Sequence, residues 1–393
     1  MLTRKQAALS RPMVLLLAVA CGVAVGNLYF PQAVTPLVAA GLGVPADTAA
    51  LVVTAAQFGY AAGIFLLVPL GDRVPHRPLI ATLLGVTGAG LLAASAAPGL
   101  GALAGLSMLI GVTTVVAPLV APMAVGLVPE ERRGAVTGTL LAGSIGGMLL
   151  SRAVGGALGE WLGWRAPYVL AAAASLTVAA VLARTLPTTG PAARQPYPQL
   201  LAATLRLLRD EPELRRSCLY QATVFGAFTA VWTGAALLLT GPAYGFGAQA
   251  VGVLALVNVA TMLATPAAGR RVDRRGPDAV NLVCFLAVVL SAAVLAVGGL
   301  GGAVGLAALA LGTLLLDVAM QSGMVANQVR IWALRPEARS RLNTAYMVCA
   351  FLGGGFGSWA ATRAYTHLGW PGVSALVAVL AGLGLARHLL RRT

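Results

Sequence analysis

The sequence predicts an all-α polytopic membrane protein, with twelve spanning helices arranged as two repeated six-helix halves. Three observations point there. Hydrophobic residues make up 58% of the 393 and charged residues only 10%, with a mean hydropathy of +0.85. A soluble domain carries about 25% charged residues, so this chain cannot cover a water-exposed surface. The basic residues cluster on alternate connections between apolar runs. Finally, a set of landmarks in the first half returns in the same order in the second.

The apolar runs fall at 12–40, 47–70, 79–96, 99–127, 135–159, 165–184, 214–240, 247–269, 279–298, 302–325, 342–366 and 370–389. Twelve helices of about 20 apolar residues consume roughly 240 positions. The longest polar stretch, from Arg184 to Arg216, leaves no room for a separate soluble domain. Three units follow: residues 1–184 as one six-helix bundle, 185–213 as a linker, and 214–393 as the second bundle. Of the 27 Lys and Arg, all but Arg152, Arg165 and Arg363 fall on the same set of connections. The positive-inside rule makes that side cytoplasmic, with both termini there. The net charge of +15 therefore reads as topology and contact with anionic lipid headgroups, and no nucleic acid is expected as a partner.

The first run follows Arg4, Lys5 and Arg11. Leu17-Ala-Val-Ala-Cys21 hints at a lipoprotein cleavage site, but the run continues uncharged to Ala40, too long for a signal peptide. It reads as the first span and carries Asn27, Tyr29 and Gln32. The second span carries Gln57 and Tyr60. The fifth carries an arginine, Arg152, in its outer half. The linker is Pro-rich from Pro187 to Pro198, then amphipathic over Gln199 to Arg209, which suits the inner membrane surface. The seventh span carries Tyr220, Gln221, Thr223 and Trp232, and the eighth Asn258. The tenth carries Asp317 and Gln321, four apart and so on one face. The eleventh adds Asn343 and Tyr346.

Two ionisable groups thus lie deep in spans. Each costs about 2.5–3.5 kcal/mol at a helix centre on insertion scales. Asp317 is near mid-membrane, where a carboxyl can load and release a proton. Arg152 stays charged; it can bind an anionic group or pair with Asp317. Apolar walls with a few amides and aromatics suit a small, partly apolar organic molecule.

Missing residues exclude other chemistries. The sole lysine, Lys5, lies outside any Gly-x-x-x-x-Gly-Lys-[Ser/Thr] loop, so no ATP site is expected. His76, His367 and His388 are scattered, and no Cys-x-x-Cys or His-Glu-x-x-His occurs, so no metal or other cofactor is expected. Cys21, Cys218, Cys284 and Cys349 read as buried small hydrophobes. No nucleophile–base set marks an enzyme.

The repeat is explicit. Pro129-Glu130-Glu131-Arg132-Arg133 returns as Pro336-Glu337-Ala338-Arg339-Ser340, and Gly146-Gly147 as Gly353-Gly354. Leu162-Gly163-Trp164 returns as Leu368-Gly369-Trp370, and Asp72-Arg73 as Asp273-Arg274. Parallel halves with a midplane site are a transporter plan.

These residues resemble the major facilitator superfamily over essentially the whole chain. The family signature Gly-x-x-x-Asp-Arg-x-Gly-Arg-Arg appears between spans 2 and 3 with Asp72, Arg73 and Arg77 in place, and Val68 and Pro75 where the glycines belong. Its second copy keeps Gly269, Asp273, Arg274 and Gly276. The resemblance implies a latch on the cytoplasmic face, in which an Asp meets a helix N-terminus of the other half. The repeated loops add Glu130, Arg132, Glu337 and Arg339 to it. Gly138-Thr-Leu-Leu-Ala142-Gly143-Ser-Ile-Gly146-Gly147 is similar to the family's antiporter motif, with Gly143 at its proline, although small residues also serve plain packing. Ser107 stands where proton-coupled drug exporters usually carry an arginine.

The resemblance implies a secondary transporter working by alternating access, with spans 1, 4, 7 and 10 around the cavity. Within it the chain resembles twelve-helix bacterial drug:proton antiporters. The expected function is proton-coupled efflux of drug-like molecules or metabolites, by a monomer in the bacterial inner membrane. The rivals are an importer or symporter of a small metabolite, anionic ones included, and a non-transporting membrane sensor.

Overall fold

The computed structural model describes residues 9–188, 196–335 and 338–390. The first half contains α1 Arg11–Leu42, α2 Ala46–Asp72, α3 His76–Ser95, α4 Leu100–Gly126, α5 Glu130–Leu162 and α6 Arg165–Thr185. A linker helix, Tyr197–Asp210, precedes α7, Pro212–Thr240. The helical path from Gln249 runs through Thr261–Val297 and breaks at Gly276, where φ is 77°. It therefore makes two passes, α8 (249–276) and α9 (277–300). After α10, Gly302–Leu334, the run Arg339–Leu389 breaks at Gly369, with φ 64°, into α11 (339–368) and α12 (370–389).

The repeated Gly-Trp landmark has a local cause. Gly163 (φ 85°) and Gly369 (φ 64°) turn the chain at the ends of α5 and α11, a conformation that costs any residue with a Cβ. Each following tryptophan then locks its turn. Trp164 packs edge-on against Tyr168, and Trp370 donates its Nε1 proton to the Leu295 carbonyl at 2.5 Å.

Two helix crossings organise each half around small residues. α1 crosses α5 where Gly22 meets Gly143 and Gly147, backbone against backbone. α7 crosses α11 in the same way, where Gly226 meets Gly353 and Gly357. Small residues permit this approach, which drives helix association where lipid is as apolar as the helix. The remaining strong pairings are α2 with α4, α3 with α6, and α9 with α10. The halves meet through α2 with α11 and α5 with α8, and α1 also touches α7.

Large apolar side chains such as Leu15, Val19, Leu150, Val304 and Val379 face outward, as a lipid-facing surface requires. By contrast α7 is enclosed on nearly every side. Several polar groups it carries are satisfied internally; Thr229 Oγ1, for one, donates to Gly354 O across the α11 crossing at 2.7 Å.

Several helices outrun the expected spans. α5 starts at Glu130 rather than 135, and α10 continues to Leu334 rather than 325. Charged residues bound a lipid-facing segment, but they do not stop a helix. The linker helix packs Leu207 among Leu214, Cys218, Ile331 and Leu342, while Leu205 stays exposed. Tyr197 donates to the Leu66 carbonyl of α2 at 2.5 Å, so this helix touches both halves.

The starts of α7 and α9 and the ends of α10 and α12 share an ionic cluster that the sequence pattern did not reveal. Arg216 pairs with Glu213 at 3.2 Å and Asp278 at 2.5 Å, and Arg330 pairs with the same Asp278 oxygen. Arg216 also donates to the Tyr220 hydroxyl at 2.7 Å, which lies 3.1 Å from His388 Nδ1.

Candidate functional site

The side of the molecule bearing most arginines is termed the arginine-rich face below. A cavity of about 230 Å³ lies between the halves. Its walls come from α1, α2, α4 and α5 on one side and α7, α10 and α11 on the other. Pro118, Gln328 and Asn343 place it toward the arginine-rich face, since they lie near the ends of α4 and α10 and the start of α11. Aromatic rings (Tyr29, Tyr60, Phe225, Phe351) and methionines (Met148, Met320, Met324, Met347) dominate the lining. Polar groups are few: Gln221, Gln321, Gln328, Asn343 and Ser144. No charged residue lines it among the described residues.

Above the cavity, the two intramembrane charges meet around one indole. The Arg152 guanidinium is fully buried and lies 4.2 Å from the Trp232 ring centroid, 4.9 Å from Tyr29 and 5.5 Å from Phe228. Arg152 Nε and Nη2 both donate to Gln32 Oε1, at 2.9 and 2.7 Å. Trp232 Nε1 donates to Asp317 Oδ1 at 3.4 Å. Arg152 and Asp317 form no direct ion pair among the described residues; Trp232 links them. Three polar atoms here have no hydrogen-bond partner among the described residues: Arg152 Nη1, Gln32 Nε2 and Asp317 Oδ2. Buried groups usually find one, and an unpaired buried charge is costly. One turn from Asp317 on α10, Gln321 Oε1 is likewise unpartnered, and Gln321 lines the cavity.

The arrangement is closed toward the opposite face. Thr54 of α2 donates to Ser358 Oγ of α11 at 3.2 Å, and Thr233 of α7 shares that hydroxyl at 3.1 Å. Gly252 of α8 packs directly on the α5 backbone at Arg152 and Ala153.

The structure thus brings together Tyr29, Gln32, Arg152, Trp232 and Asp317 in one cluster. It brings Tyr60, Gln221 and Gln321 to the cavity wall, with Tyr346 behind them donating to Gln221 Oε1 at 2.7 Å. Other candidates lie elsewhere. Asn27 donates to Ser175 of α6 at 3.0 Å, away from the interface. Tyr220 belongs to the ionic cluster, and Thr223 donates to the Tyr220 carbonyl at 3.0 Å. Gln57 and Asn258 are fully buried outside the cavity lining, and neither amide has a partner among the described residues. The phenylalanines and methionines of the cavity were not singled out from the sequence, because they do not stand out within apolar helices.

At the arginine-rich face, Asp72 is half-buried near His76 of its own half and Arg341, which lies at the start of α11 in the other half. Arg77 donates to the Ala183 carbonyl of α6 at 2.6 Å, within its own half. Arg73, Glu130, Asp273 and Arg274 are exposed and Arg132 is half-buried. Arg339 donates to the Trp332 carbonyl at 3.3 Å. Glu337 lies outside the described residues. In the antiporter-like motif, Gly143 and Gly147 meet α1, whereas Gly138 and Gly146 face open space.

Twelve passes, two repeated halves and one buried polar site between them define a transporter of small molecules. The chain belongs to the Major Facilitator Superfamily, whose family description matches residues 15–331. It is 32% identical over 384 residues to the uncharacterized transporter YgaY of Escherichia coli O157:H7, covering 98% of this chain and 96% of that one. It is 36% identical over 370 residues to the transporter SCO4007 of Streptomyces coelicolor, covering 94% and 85%. A chloramphenicol resistance protein of Streptomyces lividans is 30% identical over 274 residues, 67% of each chain. Among solved structures, the nucleoside transporter NupG has a TM-score of 0.78 at 15% identity, covering 96% of this chain and 97% of that one. That likeness shows the fold alone.

Proposed function

We propose that this chain exports small, partly apolar molecules in exchange for protons, by alternating access between its two halves. One observation carries the reading. An uncharged cavity of aromatic, amide and methionine side chains lies one helical turn from Asp317, a buried carboxyl with an unpartnered oxygen. Such a group can take up and release a proton as its surroundings change. Methionines adapt to different cargo shapes. The cavity volume is below the usual range for organic ligand sites, which favours small cargo or further opening on binding.

The arginine-rich face is cytoplasmic in this reading, the membrane is the bacterial inner membrane, and the functional unit is a monomer that uses no ATP. Residues 1–184 and 214–393 rock about the site, joined by 185–213. Asp72 and Arg341 belong to the latch that closes the cytoplasmic face. Export, rather than uptake, is favoured by the resistance named for the Streptomyces lividans relative.

A second reading has its own support. Arg152 Nη1 is buried and unpartnered and would suit an anionic group on an imported metabolite. Energised inside-out vesicles separate the two. Export predicts that a neutral or cationic aromatic compound accumulates inside them and leaks out when a protonophore is added. Accumulation of anions alone, and only in right-side-out vesicles, would replace export with uptake.

A further inference from the structure

The face opposite the arginine-rich one carries two acidic residues that bridge the halves, and the internal repeat relates the two bridges. Glu160, at the end of α5, accepts a hydrogen bond from the backbone N–H of Ala248 at 2.7 Å, at the start of α8. Asp47, at the start of α2, accepts one from Thr366 Oγ1 at 2.9 Å, at the end of α11. The repeat that carries Asp72 onto Asp273 carries Asp47 onto Ala248. The repeat that carries Leu162-Gly163-Trp164 onto Leu368-Gly369-Trp370 carries Glu160 onto Thr366. Each bridge therefore joins the same two repeat positions; the first half supplies both acceptors and the second half both donors, so the two positions exchange roles.

The Glu160 bridge has a second feature. The segment Gln249–Val257 that opens α8 has no side-chain cap of its own; Ala248 occupies its N-cap position. The first N–H groups of a helix need an external partner, and a carboxylate there also meets the positive end of the helix dipole. Here that carboxylate comes from the other half. Gly247 lets it approach, because a Cβ at that position would sit 2.6 Å from the Glu160 carboxylate. Asp47 does double duty: its second oxygen accepts from Thr48 N at 2.7 Å, in the first turn of α2. Both bridges border one vestibule of about 530 Å³ on this face, which Leu237 and Tyr365 also line.

We propose that Glu160 and the Asp47–Thr366 pair are positioning residues of the transport cycle: two pseudo-symmetric clasps that hold this face shut while the cavity serves the arginine-rich face. The cap on α8 exists only while the halves touch here, so opening this face strips it. The proposal rests on the alternating-access reading, and the test separates the two.

Leu237→Cys is buried beside the vestibule and reports this face; Met347→Cys lines the cavity and reports the other. Each is placed in a Cys349→Ser background and labelled with a membrane-impermeant maleimide. Right-side-out vesicles serve the first reporter and inside-out vesicles the second. Glu160→Ala should speed labelling at position 237 about five-fold, the ratio that losing one helix cap produces. Glu160→Gln, which keeps an acceptor, should have a smaller effect, and Thr366→Val should act in the same direction. In the double variant the two increases should multiply, and labelling at position 347 should fall. Unchanged labelling at 237 in both Glu160→Ala and Thr366→Val overturns the clasps. A rise at 237 with no fall at 347 keeps the clasps and overturns alternation of the two faces. Glu160→Gln and Thr366→Val are close in shape to the residues they replace, so they report even if Glu160→Ala folds poorly.

Discussion

Gly146 and Gly147 are neighbours in sequence, yet alanine should have opposite effects at the two. A Cβ at position 147 would run into the Gly22 backbone of α1, and α1 would have to move away along the whole crossing. Overpacking of this kind costs about 1–3 kcal/mol. A Cβ at position 146 meets nothing within 4 Å. There alanine only gains helix propensity, up to about 1 kcal/mol relative to glycine. The two variants should therefore differ by roughly 1–4 kcal/mol. Thermal unfolding of the purified protein in detergent measures this directly: Gly146→Ala should match or exceed the parent Tm, and Gly147→Ala should fall several degrees below it. The pair Gly353 and Gly357 of the second half should follow Gly147, since both meet α7 backbone. Equal effects at 146 and 147 would refute the close α1–α5 crossing.

Other expectations follow from single groups. Gly369→Ala places a Cβ at φ 64° and should cost about 1–2 kcal/mol, read as a lower Tm. Arg216→Ala leaves the half-exposed Asp278 and Glu213 to Arg330 alone and should cost about 1 kcal/mol; Arg216→Lys should rescue only part, because one ammonium cannot reproduce the forked contacts. Gln321→Leu removes the unpartnered acceptor of the cavity wall. It should weaken binding of hydrogen-bonding cargo by several-fold, about one bond's worth, with little change in Tm, as equilibrium binding and thermal unfolding would show.

Much of the architecture was legible because membranes impose simple rules. Apolar length gave the spans, alternating arginines set the connections of one face apart from those of the other, and repeated landmarks gave the two halves. The Leu-Gly-Trp repeat was visible as a landmark, but its cause, a left-handed glycine followed by an anchoring indole, needed coordinates. The candidate site was only partly legible. Arg152 and Asp317 stood out because charge is rare in a span. Their separation by Trp232 did not, since α5, α7 and α10 are distant in sequence. The cluster of Arg216, Glu213, Asp278 and Arg330 was hidden for the opposite reason: charges at span ends look like topology signals wherever they occur. The fate of Asn27 and Tyr220 was hidden too, because spacing along a helix does not reveal which neighbour it faces.

The most direct test of the account is proton release from energised inside-out vesicles on adding cationic, neutral and anionic compounds, with parent and Asp317→Asn side by side. Cargo binding to both proteins is measured in parallel. The account predicts compound-dependent proton release by the parent and none by Asp317→Asn, with binding retained in both. Equal proton release by the two proteins would contradict it and remove Asp317 from the coupling step.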